Sequence, residues 1–244
     1  NEAPVLYDLT TQQRMTTVRE NGVIKFALPA SAVSRDFILV NMTNGISSVA
    51  DMNAVDFIDY SEMNTEFLIV SNRVFFDDGQ GENAVQEYAD YRSSVEGGSY
   101  NTTIVAIQQI YDQFGYGINR HNLPVRNFAN YAKKNWDDWK FALLMGKSRE
   151  YTRARTGEEL NEAKNETFYL PTYGALGSAM LMFAPMGKVT PVVAVGQLPA
   201  INPAEIRVFL DKLQTYEDAY KNKPQTIEER AWMSQVMHLG GGLT

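Results

Sequence analysis

The chain contains no cysteine. Within these residues that excludes a disulfide, a thiolate metal site and a cysteine nucleophile. It leaves the redox compartment open, because secreted proteins can also fold without disulfides. Histidine is nearly as scarce: His121 and His238 are the only two, far apart in sequence. No His-Glu-x-x-His motif exists, and a two-histidine metal site is not expected. A Ser–His–Asp triad stays open, but no G-x-S-x-G elbow announces it. No P-loop pattern is present, and Gly115-Tyr-Gly117 lacks the third glycine and the strand context of a dinucleotide fingerprint. Long apolar runs are missing too. The most apolar window, Tyr173 to Ala184, is interrupted by Gly and Ser and falls short of the about 20 residues that span a bilayer. No N-terminal signal pattern is visible, and Asn1 in place of an initiator Met reads as a processed or excised chain. Basic residues are outnumbered, 22 Lys and Arg against 29 Asp and Glu, for a net charge of -7. Such a balance offers no field for nucleic acid.

What is present fits one large domain or two small ones: 244 residues, 44% apolar and 21% charged. A chain of this length buries a sizeable core without covalent staples. The many aromatics, 13 Tyr and 12 Phe, suit a strand-containing fold.

Residues 1–55 read as a β-rich segment, the tail of a preceding β-domain. Val5–Leu9, Val23–Leu28 and Phe37–Val40 are strand candidates, and Asn21-Gly22 is a hairpin signal. From residue 56 onward strands and helices alternate. Phe67–Val70, Thr103–Ile107 and Phe141–Met145 are short apolar runs of the kind buried on both faces of a parallel sheet. Between them lie a helix around Ala84–Arg92 closed by Gly97-Gly98, a helical turn at Tyr111–Phe114, and a helix from Pro124 to Trp136 with Asn122 as N-cap. Strand–helix–strand spacing of this kind implies α/β architecture with a parallel sheet.

Residues 147–167 read as a charged surface linker dividing a first α/β subdomain, 56–150, from the start of a second, 151–244. In that second part Pro191–Val195 reads as a buried strand, Gly196 as a tight turn, and Asn202-Pro-Ala-Glu205 as a capping box. Trp232 to Leu239 leads toward a further strand before Gly240-Gly-Gly242.

Few residues carry chemistry by themselves. Asp77-Asp78 reads first as a solvated turn and second as a metal or phosphate site at a strand's carboxyl end. Arg126 reads as a structural salt bridge ahead of a carboxylate holder. Trp136 and Trp139 read as a helix end packed on the sheet. Asn41, Asn101 and Asn165 head Asn-x-Ser/Thr sequences at about the frequency of chance. The residues assign no catalytic, cofactor-binding or metal-binding position.

Several blocks in order nevertheless resemble a known family. They are Glu66-Phe-Leu-Ile-Val70, Tyr88-Ala-Asp-Tyr-Arg92, Ile110-Tyr-Asp-Gln-Phe-Gly-Tyr-Gly117 with Pro124-Val-Arg126-Asn-Phe128, Phe141-Ala-Leu-Leu-Met-Gly146, Leu170-Pro-Thr-Tyr173, and Val195-Gly-Gln-Leu-Pro-Ala200 running on to Tyr216-Glu217. Together they resemble the gingipain family of cysteine peptidases, and within it the PorU-like sortases of the type IX secretion system. The resemblance implies a caspase/gingipain-like fold and cleavage of peptide bonds by a Cys nucleophile with a His base. Both are expected on loops downstream of this chain. It also implies a polypeptide substrate or partner protein, contact with outer-membrane secretion components, no cofactor, and a secreted or cell-surface location.

Two departures stand out. No Asp or Glu occurs between Glu166 and Glu205, and Gln197 stands where the family has Arg. The first argues against specificity for basic side chains. Three readings follow: a peptidase or sortase whose catalytic pair lies elsewhere, a catalytically inactive relative used for binding or assembly, and an unrelated α/β ligand-binding protein.

Overall fold

A computed structural model describes residues 3–44, 54–150, 167–174, 176–224 and 226–236. The chain divides into two compact units, Asn1–Val55 and Asp56–Thr244. His238, Asn165 and the Gly240–Gly242 run lie outside the described residues.

In the first unit β1 (Val5–Asp8) is flanked antiparallel by β2 (Gln13–Thr16) and by β5 (Phe37–Val40). A separate hairpin joins β3 (Val18–Glu20) to β4 (Val23–Lys25). Its two turn residues, Asn21 and Gly22, have φ of 50° and 81°. Positive values at both positions are what a two-residue hairpin turn of matching twist requires, and Asn-Gly tolerates them. The strand expected to run to Leu28 ends at Lys25, leaving Phe26 and Leu28 exposed. β2 has no sequence signal: it is polar, and its pairing with β1 alone makes it a strand. Asp8 closes this sheet, accepting from the Thr10 and Thr11 backbone N–H groups at 2.9 and 3.0 Å and from Arg35 Nη1 at 3.1 Å.

The second unit is built on a four-stranded parallel sheet. It comprises β6 (Phe67–Ser71), β7 (Thr102–Ala106), β8 (Phe141–Met145) and β11 (Ala194–Leu198), in the order β11-β8-β6-β7. Every residue of β6 is buried, as a central parallel strand covered on both faces must be. Side chains alternate between faces. Leu68, Val70, Ala142 and Leu144 enter one core with Ile110, Val125, Phe128 and Trp136. Phe67, Ile69, Leu143 and Met145 enter the other with Val85, Tyr88, Ile206 and Leu210. The helices sort accordingly: α1 (Ala84–Ser93) and α4 (Pro203–Lys221) cover the second face, α2 (Ile107–Phe114) and α3 (Leu123–Asn135) the first. The result is an α/β fold, a parallel sheet between helical layers.

Several local expectations change. Pro191–Val195 is not a buried strand; the strand is Ala194–Leu198, at the sheet edge and largely exposed. Gly196 is therefore part of a strand and not a turn. Its partner strand sets this register, with Val195 opposite Ala142 and Gly196 opposite Leu143. The linker reading of 147–167 does not separate two sheets among the described residues, because β11 joins the sheet of β6–β8. Two short strands, β9 (Ser148–Arg149) within that segment and β10 (Leu170–Pro171) after it, pair in parallel. α1 stops at Ser93, ahead of Gly97-Gly98, because Ser94 Oγ donates to the Tyr91 carbonyl and accepts from Gly97 N–H. α2 starts directly after β7, so Ile107 opens a helix in place of ending a strand. Its stripe of Ile107, Ile110 and Tyr111 is buried at helical spacing. Asn122 makes no capping bond; His121 Nδ1 accepts from Leu123 N–H at 3.1 Å instead. Asn202 does cap α4, accepting from Glu205 N–H at 3.0 Å, while Glu205 reaches back to Ile201 N–H at 2.9 Å. Ala231–Ser234 forms a 3-10 turn on the way toward the expected last strand, whose remaining residues are not described.

Candidate functional site

In an open parallel sheet, ligands collect outside the carboxyl ends of the strands, where loops leave the sheet in diverging directions. Here β6 runs into Asn72, β7 into Gln108 at the start of α2, β8 into Gly146–Ser148 and β11 into Pro199–Ala200. Gly146 has φ of 137°, and its N–H donates to the Leu198 carbonyl at 2.8 Å. The chain can thus leave β8 sharply while still held to β11.

Two clefts open along this edge. The first encloses about 450 Å³ between Asn72, Gln108, Tyr111, Asn119, Arg120, Phe168 and Tyr169. Asn72 and Gln108 form its wall as an interlocked pair. Gln108 Nε2 donates to Asn72 Oδ1 at 2.8 Å, and Gln108 Oε1 accepts from Arg73 N–H at 3.2 Å. Asn72 Nδ2 donates to the Tyr169 carbonyl at 3.2 Å, tying the loop after β6 to β10. Arg120 lies over the Phe168 ring, 5.6 Å from its centroid. Tyr111 is buried with its hydroxyl unpartnered.

The second cleft, of about 460 Å³, lies between Lys147, Ser148, Glu150, Thr172, Gly177, Gln197 and Pro199. Gln197 Nε2 donates to Ser148 Oγ at 2.5 Å, and Thr172 Oγ1 to the Arg149 carbonyl at 3.0 Å. This cleft brings together Gln197 and Thr172 of the Leu170–Tyr173 block.

The residues singled out in sequence do not converge. Asp78 takes part in a structural ion pair: its Oδ2 accepts from Arg207 Nη1 at 2.8 Å, and its Oδ1 from the N–H groups of Gln80 and Glu82. It is neither the plain solvated turn nor the metal site envisaged. The Gln80 N–H, followed by Arg207, holds its carboxyl below the ordinary value. Arg126 corrects the salt-bridge reading. It is 2% exposed, makes no ion pair with a carboxylate among the described residues, donates Nη2 to the carbonyls of Pro185 and Lys188, and lies 4.5 Å from the Tyr173 ring centroid. A buried guanidinium needs acceptors, and the loop after β10 supplies them from its backbone. Trp136 and Trp139 are structural as expected: both are buried, with Nε1 donating to the carbonyls of Tyr60 at 2.6 Å and of Phe141 at 2.9 Å. Among the described residues no group of three or more His, Asp or Glu is arranged to hold a metal.

The cleft residues Asn72, Gln108, Tyr111 and Arg120 carried no individual signal. Only the position of Tyr111 within the Ile110–Gly117 block hinted at it.

Comparison with known proteins places this geometry. The family described as peptidase family C25 matches residues 60–244. No curated protein gives a significant match. A solved structure titled as dimeric latent PorU from Porphyromonas gingivalis is similar, with a TM-score of 0.51 at 17% identity, over 86% of this chain. The aligned part is 22% of that protein, so the chain spans about a fifth of its length. At this identity the likeness concerns the fold: a caspase/gingipain-like parallel sheet flanked by helices, with a β-rich N-terminal segment. The family match also removes the reading as an unrelated α/β ligand-binding protein. With more than half of its length matched, the chain belongs to peptidase family C25.

Proposed function

We propose that this chain is the N-terminal part of a gingipain-like cysteine endopeptidase or type IX secretion sortase that cleaves peptide bonds of exported proteins. One observation carries the reading: residues 60–244 match a cysteine-peptidase family in a chain without cysteine. Covalent attack on a peptide carbonyl in this class needs a thiolate and a nearby base. On this proposal both come from sequence following Thr244, and residues 56–244 supply scaffold for them. Within this proposal residues 56–150 are the first α/β subdomain and 151–244 the start of the second, with β11 hydrogen-bonded to β8. The proposal includes a place at the bacterial surface or outside the cell, with a polypeptide substrate and outer-membrane secretion components as partners. Among the described residues no helix is long and apolar enough to cross a membrane.

The test is the complete natural reading frame. It is expected to contain a His-Gly pair and a Cys, each after a strand. Replacing that Cys by Ala is expected to lower peptide cleavage by roughly a thousandfold or more. A reading frame lacking both residues would sink the proposal.

Gln197 favours a second reading, a catalytically inactive relative that binds without cutting. It stands where the family has Arg, and its amide is engaged with Ser148. The acid-free stretch from Thr167 to Ala204 supports it too. This reading expects the full-length protein to capture exported polypeptides and release them uncut.

A further inference from the structure

The cleft at the carboxyl ends of β6 and β7 lacks an assigned role, and its lining is unbalanced toward hydrogen-bond donors. Among the described residues no Asp or Glu lines it. The acceptors of the Asn72–Gln108 pair are already used: Asn72 Oδ1 by Gln108 Nε2 and Val74 N–H, Gln108 Oε1 by Arg73 N–H. Two strong donors are not used in this way. Tyr111 is 3% exposed, and its buried hydroxyl has no hydrogen-bond partner. Arg120 rests on the Phe168 ring and pairs with no carboxylate among the described residues. A buried unpaired hydroxyl is costly, and a native structure retains few such groups.

The backbone points the same way. Arg120 has φ of 58°, a left-handed conformation that a residue with a long side chain adopts at a cost. Arg120 is exposed and lines the cleft. Burial pushes the Tyr111 phenol well above its ordinary value of 10.0, against a smaller opposing effect of the Arg120 charge. The hydroxyl therefore remains a proton donor at neutral pH.

We propose that this cleft binds a carboxylate, with Arg120 and the Tyr111 hydroxyl as its donors and the Asn72–Gln108 pair as its fixed wall. A guanidinium and a phenol lining one cleft, with no acid among its described lining residues, suit a planar anion with two acceptor oxygens. The volume of about 450 Å³ admits the end of a peptide as well as a small free acid.

The experiment titrates the 244-residue chain with acetate, with N-acetyl-trialanine, and with the same tripeptide amidated at its C-terminus, followed by backbone NMR shifts. The acid is expected to bind at least about tenfold more tightly than the amide, as loss of a charge-assisted contact implies. Arg120→Gln is expected to weaken the acid about tenfold and Arg120→Lys by less. Tyr111→Phe should weaken it about fivefold while leaving thermal stability unchanged or raised, since it deletes only an unpaired hydroxyl. Tripeptide acid binding tighter than acetate assigns the site to peptide C-termini; equal binding assigns it to small free carboxylates. Equal affinity for acid and amide, no saturable binding of acetate or acid, or affinities untouched by both Arg120→Gln and Tyr111→Phe would overturn the proposal.

Discussion

Arg207 grips Glu87 through two nitrogens, with Nε 2.9 Å from Oε2 and Nη2 2.6 Å from Oε1. Its third nitrogen, Nη1, reaches Asp78 Oδ2 at 2.8 Å. One guanidinium thereby fastens α4 to both α1 and the loop that precedes it. Replacing it by Met keeps the aliphatic stem and removes the fork. Arg207→Met is expected to lower the melting temperature, by more in dilute buffer than in salt. Screening shortens the reach of charge from about 10 Å at 0.1 M to about 3 Å at 1 M. Melting curves at both ionic strengths check this; a salt-independent loss would assign the effect to packing.

Acid should loosen the second unit through Glu66 and Asp78. The Lys140 ammonium, 2.5 Å from Glu66 Oε1, and then the Asn101 N–H hold the Glu66 carboxyl below its ordinary 4.5. The Gln80 N–H and then Arg207 hold Asp78 below 3.8. A depressed folded value means that the unfolded chain takes up the proton first. The stabilisation is complete above the ordinary values and is lost as pH falls through the lower, folded ones. Urea midpoints are expected to stay level down to about pH 5 from these two groups and to decline below it. The double variant Glu66→Gln, Asp78→Asn should decline less steeply over the same range.

Trp136 is the keystone of the core on the α2–α3 face. It is fully buried, contacts Phe128 and Trp139 edge to face with centroids 5.8 and 5.5 Å away, and donates to the Tyr60 carbonyl. Trp136→Ala is expected to cost about 3–5 kcal/mol, as for other large-to-small core changes. Trp136→Phe should cost less, since it restores most of the volume and leaves the Tyr60 carbonyl without this donor. Chemical denaturation followed by circular dichroism measures both.

Two glycines at the sheet should respond unequally. At Gly146 φ is 137°, and an added Cβ would lie 3.0 Å from both Phe75 Cε2 and Tyr169 Cβ. Gly146→Ala is expected to destabilise by about 1–3 kcal/mol, the range for a strained backbone. At Gly196 the backbone is extended and the nearest atom, Leu143 Cδ1, is 3.3 Å away at the end of a flexible side chain. Gly196→Ala should lie within about 1 kcal/mol of the parent. Equal losses at the two sites would refute the conformational argument.

These cases also separate what local sequence carries from what it does not. The Asn21-Gly22 turn was legible because two adjacent positive φ values select those residues. The buried run of β6 was legible because a strand covered on both faces has little place for polar groups. β2 was not, since Gln13–Thr16 is polar and its pairing partner β1 makes it a strand. β11 was misplaced by three residues because apolarity marks Pro191–Val195, while register against β8 decides which residues extend. Arg126 shows the same limit: its acceptors, the carbonyls of Pro185 and Lys188, lie about sixty residues away.

The sequence by itself determined the α/β class, the alternating faces of the strands, the absence of any thiol chemistry within these residues, and the family blocks. Those properties depend on residue type and short-range period, which survive without coordinates. The tertiary structure alone decided that β11 joins the sheet of β6–β8, that Arg207 locks α4 to α1, and that Tyr111 and Arg120 meet Asn72 and Gln108 in one cleft. Parallel strands bring residues far apart in sequence to a common edge, and no local pattern records which of them will meet there.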